Sequence, residues 1–323
     1  MAGGQERVLR RRIRSVESTK KITRAMELIA ASRIVRAQQA IAAARPYVTK
    51  MGEVVEHLAD TPDAAAHPLF RQAETVERVA TILITADRGL AGGYNASIIR
   101  TVERLIREHR AAGRAVSLVT IGRKGDNYFR HRDHNILTSI IGVSDRPSYA
   151  DARKAVAAVM GPFEAGEIDQ IELVFTRFVS IGSQVVAVRQ LVPLVRRGEE
   201  DGAGVSTPGV ENTGFRTDYE FEPEPAEILD RLLPSWLEAE VLAAMLESAA
   251  SEHASRQRAM KAATDNADEL IKNLRRVMNR ARQDAITTEI MEIVGGAEAL
   301  RQAGIDTGSG FAIETFDTAA QSA

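Results

Sequence analysis

The stretch ITADRGLAGGYN (84–95) leaves a strand-like run and opens a helix through Gly89, Gly92 and Gly93. Glycines at such a turn let backbone N–H groups close on a phosphate, and in a doubly wound sheet a nucleotide binds there. The spacing fits neither G-x-G-x-x-G nor the P-loop, and it lacks the lysine that would reach a phosphate. A tight structural turn accounts for the same glycines. IGRKG (121–125) is a second strand-to-helix turn with basic residues, open to the same two readings.

Other chemistry is thin. The chain has no cysteine, which removes disulfides, thiolate metal sites and thiol switches together. It has no nucleophile elbow and no H-E-x-x-H. Of the scattered histidines, His131 and His134 lie three apart in the charged run RHRDHN, which reads as solvated surface rather than a metal site. Glu289 and Glu292 sit at helical spacing, as on a solvated face. Asn95-Ala96-Ser97 fits a glycosylation sequon, but nothing in the chain points to secretion. The residues therefore supply no catalytic set. The chain reads as an interaction protein.

The elements that must carry these residues are unusual in length. From Ala226 to Val294 there is no glycine, and the one proline, Pro234, is near the start. At 1.5 Å per residue this is a helix of roughly 100 Å. Gln5 to Gly52 contains one proline, Pro46, and predicts a second helix of roughly 70 Å. Helices of that length persist in water by packing on a partner, so the two chain ends are expected to pair as an antiparallel coiled coil. A seam is read at Leu246, Ala249, His253, Arg256, Met260, Ala263, Ala267, Leu270, Leu274, Val277 and Ala281. His253 and Arg256 interrupt it. Ala25, Ala30, Ala31, Ala37, Ala40, Ala43 and Ala44 would let the other helix approach closely, leaving much of each helix facing outward.

Between these helices the pattern changes to α/β. Strands are predicted at Val79–Thr85, Val116–Ile121, Ile136–Ile141, Ile171–Phe175 and Val185–Val192. Helices fall at Tyr94–Ala112, Arg123–Arg130 and Tyr149–Ala165. This order predicts a small open, Rossmann-like sheet covered by helices. The organisation is an N-terminal coiled-coil helix (1–60), an α/β body (76–195), a flexible loop (196–222), a C-terminal coiled-coil helix (223–301) and a disordered tail (302–323).

The chain has 323 residues, 44% hydrophobic and 27% charged, with a net charge of −2. No run approaches the ~18 apolar residues of a membrane span. Charge is distributed unevenly, with twelve Lys/Arg against three acids in residues 1–50 and an acidic excess in 51–250. An organellar transit peptide would look similar, but the helical pattern runs on unbroken to about Leu58. A nucleic-acid-binding arm would want stacking aromatics, and residues 1–50 offer only Tyr47. A basic face turned to an acidic protein partner, or a merely solvated one, remains open.

Three stretches carry a family resemblance: RIRSVESTKKITRAMELIAASRIVRAQ (12–38), TADRGLAGGYNASI (85–98) and ASRQRAMKAATDNADELIKNL…NRARQDAITTEIMEIVGGAEAL (254–300). In this order they resemble the gamma subunit of the rotary F-type ATP synthase, over about residues 5 to 300. LESAASEHASRQRAMK and NYFRHRDHNILTSIIG are most similar to actinobacterial versions. The resemblance implies a non-catalytic rotor. Its paired terminal helices would form the central shaft inside a hexamer of three alpha and three beta subunits. Its body would sit against the epsilon subunit and the membrane ring of c subunits, with delta, a and b subunits in the same complex. ATP, ADP and Mg would bind alpha and beta, so this chain would bind no cofactor. The complex would lie at the cytoplasmic face of a bacterial membrane.

The resemblance also implies contacts. Lys20, Lys21, Arg24, Arg33 and Arg36 match a surface facing acidic levers on the beta subunits, and Met26 stands close to that contact. Arg282, Gln283 and Thr287 match positions touching the beta subunits. Departures are Ala91, where the family often has cysteine, and the absence of the chloroplast redox insert. The insertion of mycobacterial relatives before Ile171 is also missing. Pro234 is expected to split a short lead-in from the C-terminal helix, and residues 302–323 run past the usual family end.

Overall fold

A computed structural model describes residues 2–59, 67–70, 73–194 and 225–302. The expected loop at 196–222 and the tail beyond residue 302 lie outside the described residues. The elements run α1 (Ala2–Ala59), β1 (Arg78–Ile84), α2 (Tyr94–Ala111), β2 (Ala115–Ile121), α3 (Arg123–Arg130), β3 (Ile136–Ile140), α4 (Tyr149–Glu164), β4 (Gln170–Phe178), β5 (Gln184–Val192) and α5 (Pro225–Gln302). Among the described residues, no helix is long and apolar enough to cross a membrane.

The chain divides into two units. The larger, Lys21–Asp265, is built on a five-stranded sheet of order β3-β2-β1-β4-β5. β1 pairs in parallel with β2 and β4, β2 pairs in parallel with β3, and β5 runs antiparallel to β4 at one edge. The order places a switch point between β1 and β4, as in doubly wound folds. Strands buried on both faces read as near-continuous apolar runs; RVATILI and IELVF approach this, with Thr81 and Glu172 as buried polar exceptions.

The period of two sorts their side chains between two cores. Ile82, Ile84, Val119, Ile121, Leu173 and Phe175 face α4, the start of α5 and Val55 and Leu58 of α1. Leu83, Leu118 and Val174 face α2 and Phe129 of α3. Gly122 explains the second basic turn. Its φ is +94° and an added Cβ would lie 2.0 Å from the Thr85 carbonyl oxygen, so only glycine fits between β2 and α3.

The smaller unit joins Met1–Lys20 with Asn266–Ala323. Its described parts are two helical segments in antiparallel register, since Glu17 pairs with Arg275 and Lys20 with Asp268. Ile13, Ile271 and Leu274 form its core, with Leu9, Val16 and Met278 packed on them.

Two expectations about the helices fail. α5 does not break at Pro234 but runs through it. Pro234 lacks an N–H donor, yet Leu229, Leu233, Trp236 and Leu237 around it are all buried in the core, and that packing holds the turn. The seam holds at Met260, Ala267 and Leu274 but shifts by one residue at the positions between them. Along α5 the buried positions are Met260, Thr264, Ala267, Ile271 and Leu274, a strict alternation of four and three, while Leu270 and Val277 are exposed. On α1 the matching set is Ile13, Thr23, Glu27, Ala30 and Ile34. Of the α1 alanines expected at the seam only Ala30 is buried, so close approach there does not come from an alanine stripe.

Candidate partner-contact faces and the polar junction

The glycine turn after β1 does not enclose an empty crevice. α5 lies there. Gly92 adopts φ +57° and an added Cβ would meet Ala259 Cβ at 3.7 Å and the Ser255 carbonyl at 4.0 Å. Gly89 gives its carbonyl to Arg256 Nη2 at 3.3 Å. Beyond Val174, β4 runs past the last residue paired with β1, and α5 satisfies its backbone instead. The Thr176 N–H donates to Ser248 Oγ at 3.3 Å, the Ser251 hydroxyl donates to the Thr176 carbonyl at 3.1 Å, and the Phe178 N–H donates to Glu247. A cavity of about 10 Å³ is left, lined by Thr85, Tyr94, Ser144, Ser248 and Glu252 among others. That is room for about one water and not for a nucleotide.

Asp87 organises the loops above the sheet. Its carboxylate accepts the N–H groups of Arg123, Gly142 and Ser144 at 2.8–3.0 Å. Burial pushes its pKa up, but these three donors outweigh burial and hold it below the usual aspartate value. An internal carboxylate thus occupies the α3 N-terminus, where an anion would otherwise bind.

Beside it is a cluster of charges. Arg256 donates to Glu252 Oε1 at 2.6 Å, both residues being buried. Its other nitrogen, Nη1, lies 3.3 Å from His253 Nδ1. Asp145, after β3, faces Arg33 Nη1 at 2.6 Å as an ion pair without hydrogen-bond alignment, and His253 Nε2 at 4.0 Å. Burial first, then Arg256, lowers the His253 pKa to about 4, while burial raises that of Glu252 against the pull of Arg256. Ligand atoms of Asp145, Glu252 and His253 come within 4.8 Å of one another, spacing that could hold a metal ion. Arg33 and Arg256 already supply the positive charge, however, so a cation would have to displace a guanidinium. Sequence reasoning read His253 and Arg256 as seam interruptions. They face the end of the sheet, a role invisible without Asp145 and Gly89 beside them.

The expected contact residues divide into two groups. Lys20 is paired with Asp268 at 2.5 Å and Arg33 with Asp145, so both are held within the chain. Arg24 is exposed and pairs with Glu27 one turn on, Lys21 and Arg36 are exposed, and Met26 is half-buried. Arg282, Gln283 and Thr287 are exposed. They stand in a larger pattern the sequence reading missed. Arg7, Arg10, Arg11, Arg12 and Arg14 of α1, and Lys272, Arg275, Arg276, Arg280 and Arg282 of α5, are all exposed, with no acid within residues 7–14 or 270–283. Past this collar every residue from 286 to 301 is exposed, including Ile286, Ile290, Met291, Ile293, Val294 and Leu300.

Comparison with known proteins matches residues 5–300 to the ATP synthase family model. An ATP synthase gamma chain from Frankia casuarinae is 48% identical over 302 residues, covering 92% of this chain and 98% of the relative. One from Streptomyces avermitilis is 45% identical, covering 93% and 98%. Among solved structures, a chain of the Tetrahymena thermophila mitochondrial ATP synthase central stalk and c-ring matches with TM-score 0.56 and 25% identity, over 75% of this chain and 99% of that one. A chain of the Euglena gracilis enzyme matches with TM-score 0.65 over 98% of this chain and 100% of that one; at 19% identity it speaks to the fold alone. With a sheet closed to nucleotide by its own helix and two long helices presenting outward faces, the chain belongs to the ATP synthase gamma chain family.

Proposed function

We propose that this chain is the non-catalytic central-stalk rotor of a proton-translocating F-type ATP synthase. In this reading α1 and α5, within 1–60 and 223–301, turn inside a ring of three alpha and three beta subunits. The α/β body, 76–195, engages the epsilon subunit and the c-ring, while delta, a and b subunits complete the enzyme. ATP, ADP and Mg bind the alpha and beta subunits, and rotation biases each beta site in turn among its binding states. The complex sits peripherally on the cytoplasmic face of a bacterial membrane.

The observation that carries the reading is the exposed stretch 286–301 of α5. A helix with six large apolar side chains exposed among the described residues calls for an enclosing protein surface. The cationic collar beside it fits acidic surroundings. We assign Lys21, Arg24, Arg36, Arg282, Gln283 and Thr287 to direct contact with the beta subunits. Lys20, Met26 and Arg33 belong to the same surface but act more through the chain's own packing. Exposed ion pairs contribute about 0–1 kcal/mol each, weak enough for a contact that must slide.

The test is co-expression with alpha and beta subunits, then size-exclusion chromatography and an ATPase assay. A complex of about three alpha, three beta and one copy of this chain, active when the chain is present, is the expected result. ATP bound by the isolated chain, with no such complex, would return the Gly89–Gly93 turn to a nucleotide-binding role.

A further inference from the structure

The polar junction at the β1/β4 switch point is larger than packing requires. Four separate pieces of the Lys21–Asp265 unit meet there: Arg33 from α1, Asp145 from the loop after β3, the Gly89 carbonyl from the turn after β1, and the Glu252–Arg256 pair from α5. An apolar core of the same volume would hold these pieces at least as strongly, because buried charges give back most of their attraction as lost hydration. What an apolar contact lacks is direction. Hydrophobic burial is nearly indifferent to a small rotation of a helix about its own axis, whereas a guanidinium bonded to a carboxylate and a carbonyl tolerates little.

Resting on the rotor reading, we propose that this junction is the angular key of the rotor. It fixes the rotational phase of α1 and α5 against the body, so that torque entering one reaches the other without slip. Arg33, Asp145, Glu252 and Arg256 are then positioning residues for energy coupling, acting at a distance from any nucleotide. Arg256 is the centre of the key because one side chain spans α5 and the β1 turn, at 2.6 Å to Glu252 and 3.3 Å to Gly89. Arg33 is the point at which α1 joins it. Ser248 and Ser251 bind β4 through single hydroxyls and secure α5 along the sheet edge.

The experiment uses the whole enzyme in inverted membrane vesicles, reading ATP hydrolysis and ATP-driven proton pumping on the same preparation. One variant is Glu252→Gln with Arg256→Met, which removes both charges while keeping volume. The other is Asp145→Asn alone, at the more exposed end of the network, where failure to assemble is not expected. The proposal predicts hydrolysis within about twofold of the wild type and protons pumped per ATP lowered at least threefold in either variant that assembles. Pumping per ATP equal to the wild type in the Asp145→Asn enzyme would overturn it. Arg256→Lys separates geometry from charge, since lysine keeps the charge but not the fork. The key requires reduced coupling there, and full coupling would count against it. Failure of the rotor reading is a different result, seen when the wild-type chain itself restores neither hydrolysis nor pumping to alpha and beta.

Discussion

The hydroxyl oxygens of Thr23 on α1 and Thr264 on α5 lie 2.8 Å apart, both buried where the two helices face one another. The Thr264 hydroxyl also has the Met260 carbonyl of its own helix at 2.9 Å. This polar pair sits at a heptad position where an aliphatic residue would ordinarily stand, and it fixes which turn of one helix meets which turn of the other. Replacing either threonine alone by valine should destabilise the full chain by about 1 kcal/mol, because the hydrogen bond between the two helices is lost. The double variant should cost less than the sum, with a coupling of about 0.5–1.5 kcal/mol in a denaturation cycle. Additive losses would mean that the pair is a contact without energetic consequence.

The glycines of the two turns should behave differently. Gly93 has nothing within 4 Å of an added Cβ, so Gly93→Ala is expected to change stability by no more than about 1 kcal/mol. Gly122→Ala drives a methyl into the Thr85 carbonyl at positive φ and should cost about 3 kcal/mol or more, read as a large drop in melting temperature or loss of soluble protein. A nucleotide loop would give the opposite order, with Gly93 sensitive in ligand binding.

Acid should loosen the junction through His253. Burial, then Arg256, lowers its pKa from 6.5 to about 4, Asp145 opposes them and Arg33 adds to them. Between those values the unfolded chain binds a proton that the folded chain refuses, so stability falls as pH falls through that window. Glu252, whose carboxyl is raised by burial, takes up its proton more readily in the folded state and offsets part of the loss. Comparing the wild type with His253→Gln should therefore expose a difference in slope, up to about 3 kcal/mol between pH 7 and pH 4. Parallel stability curves would show that this imidazole stays hydrated.

Arg282 tests the partner-contact assignment. Its side chain is exposed, so Arg282→Ala should leave the stability of the chain within about 0.5 kcal/mol of the wild type. In the assembled enzyme it should lower ATP turnover, and the effect should shrink as salt is raised and charge contacts are screened. Turnover unchanged at low salt would remove Arg282 from the contact set.

Much of the fold is legible in the sequence. The strands of the body are, because RVATILI, AVSLVTI and IELVF are short, mostly apolar runs rich in β-branched residues. The seam of α5 is harder. Ala263 and Thr264 stand side by side, and reading the apolar alanine as the core position goes with reading Leu270 for Ile271 one heptad on, while Ala267 and Leu274 stay in place. The polar threonine is the buried one, since it has Thr23 opposite. The junction was not legible. Asp145 lies about a hundred residues from both Arg33 and His253, and no local pattern announces that a loop carboxylate, a helix and a glycine turn will converge. The cationic collar was half legible, as a basic N-terminus, but its second half comes from the other end of the chain.

The placement of α5 across the switch point has a consequence for how permanent the assembly of body and helix can be. In a doubly wound domain that site ordinarily receives a diffusible ligand, which comes and goes at rates set by its affinity. Here the occupant is the same polypeptide, so its departure does not end in escape, and the effective concentration for return stays high. A sheet built like a receptor has become a socket for its own chain. The junction can open and reclose without the two parts ever exchanging for others, and no metabolite need be present to keep it filled.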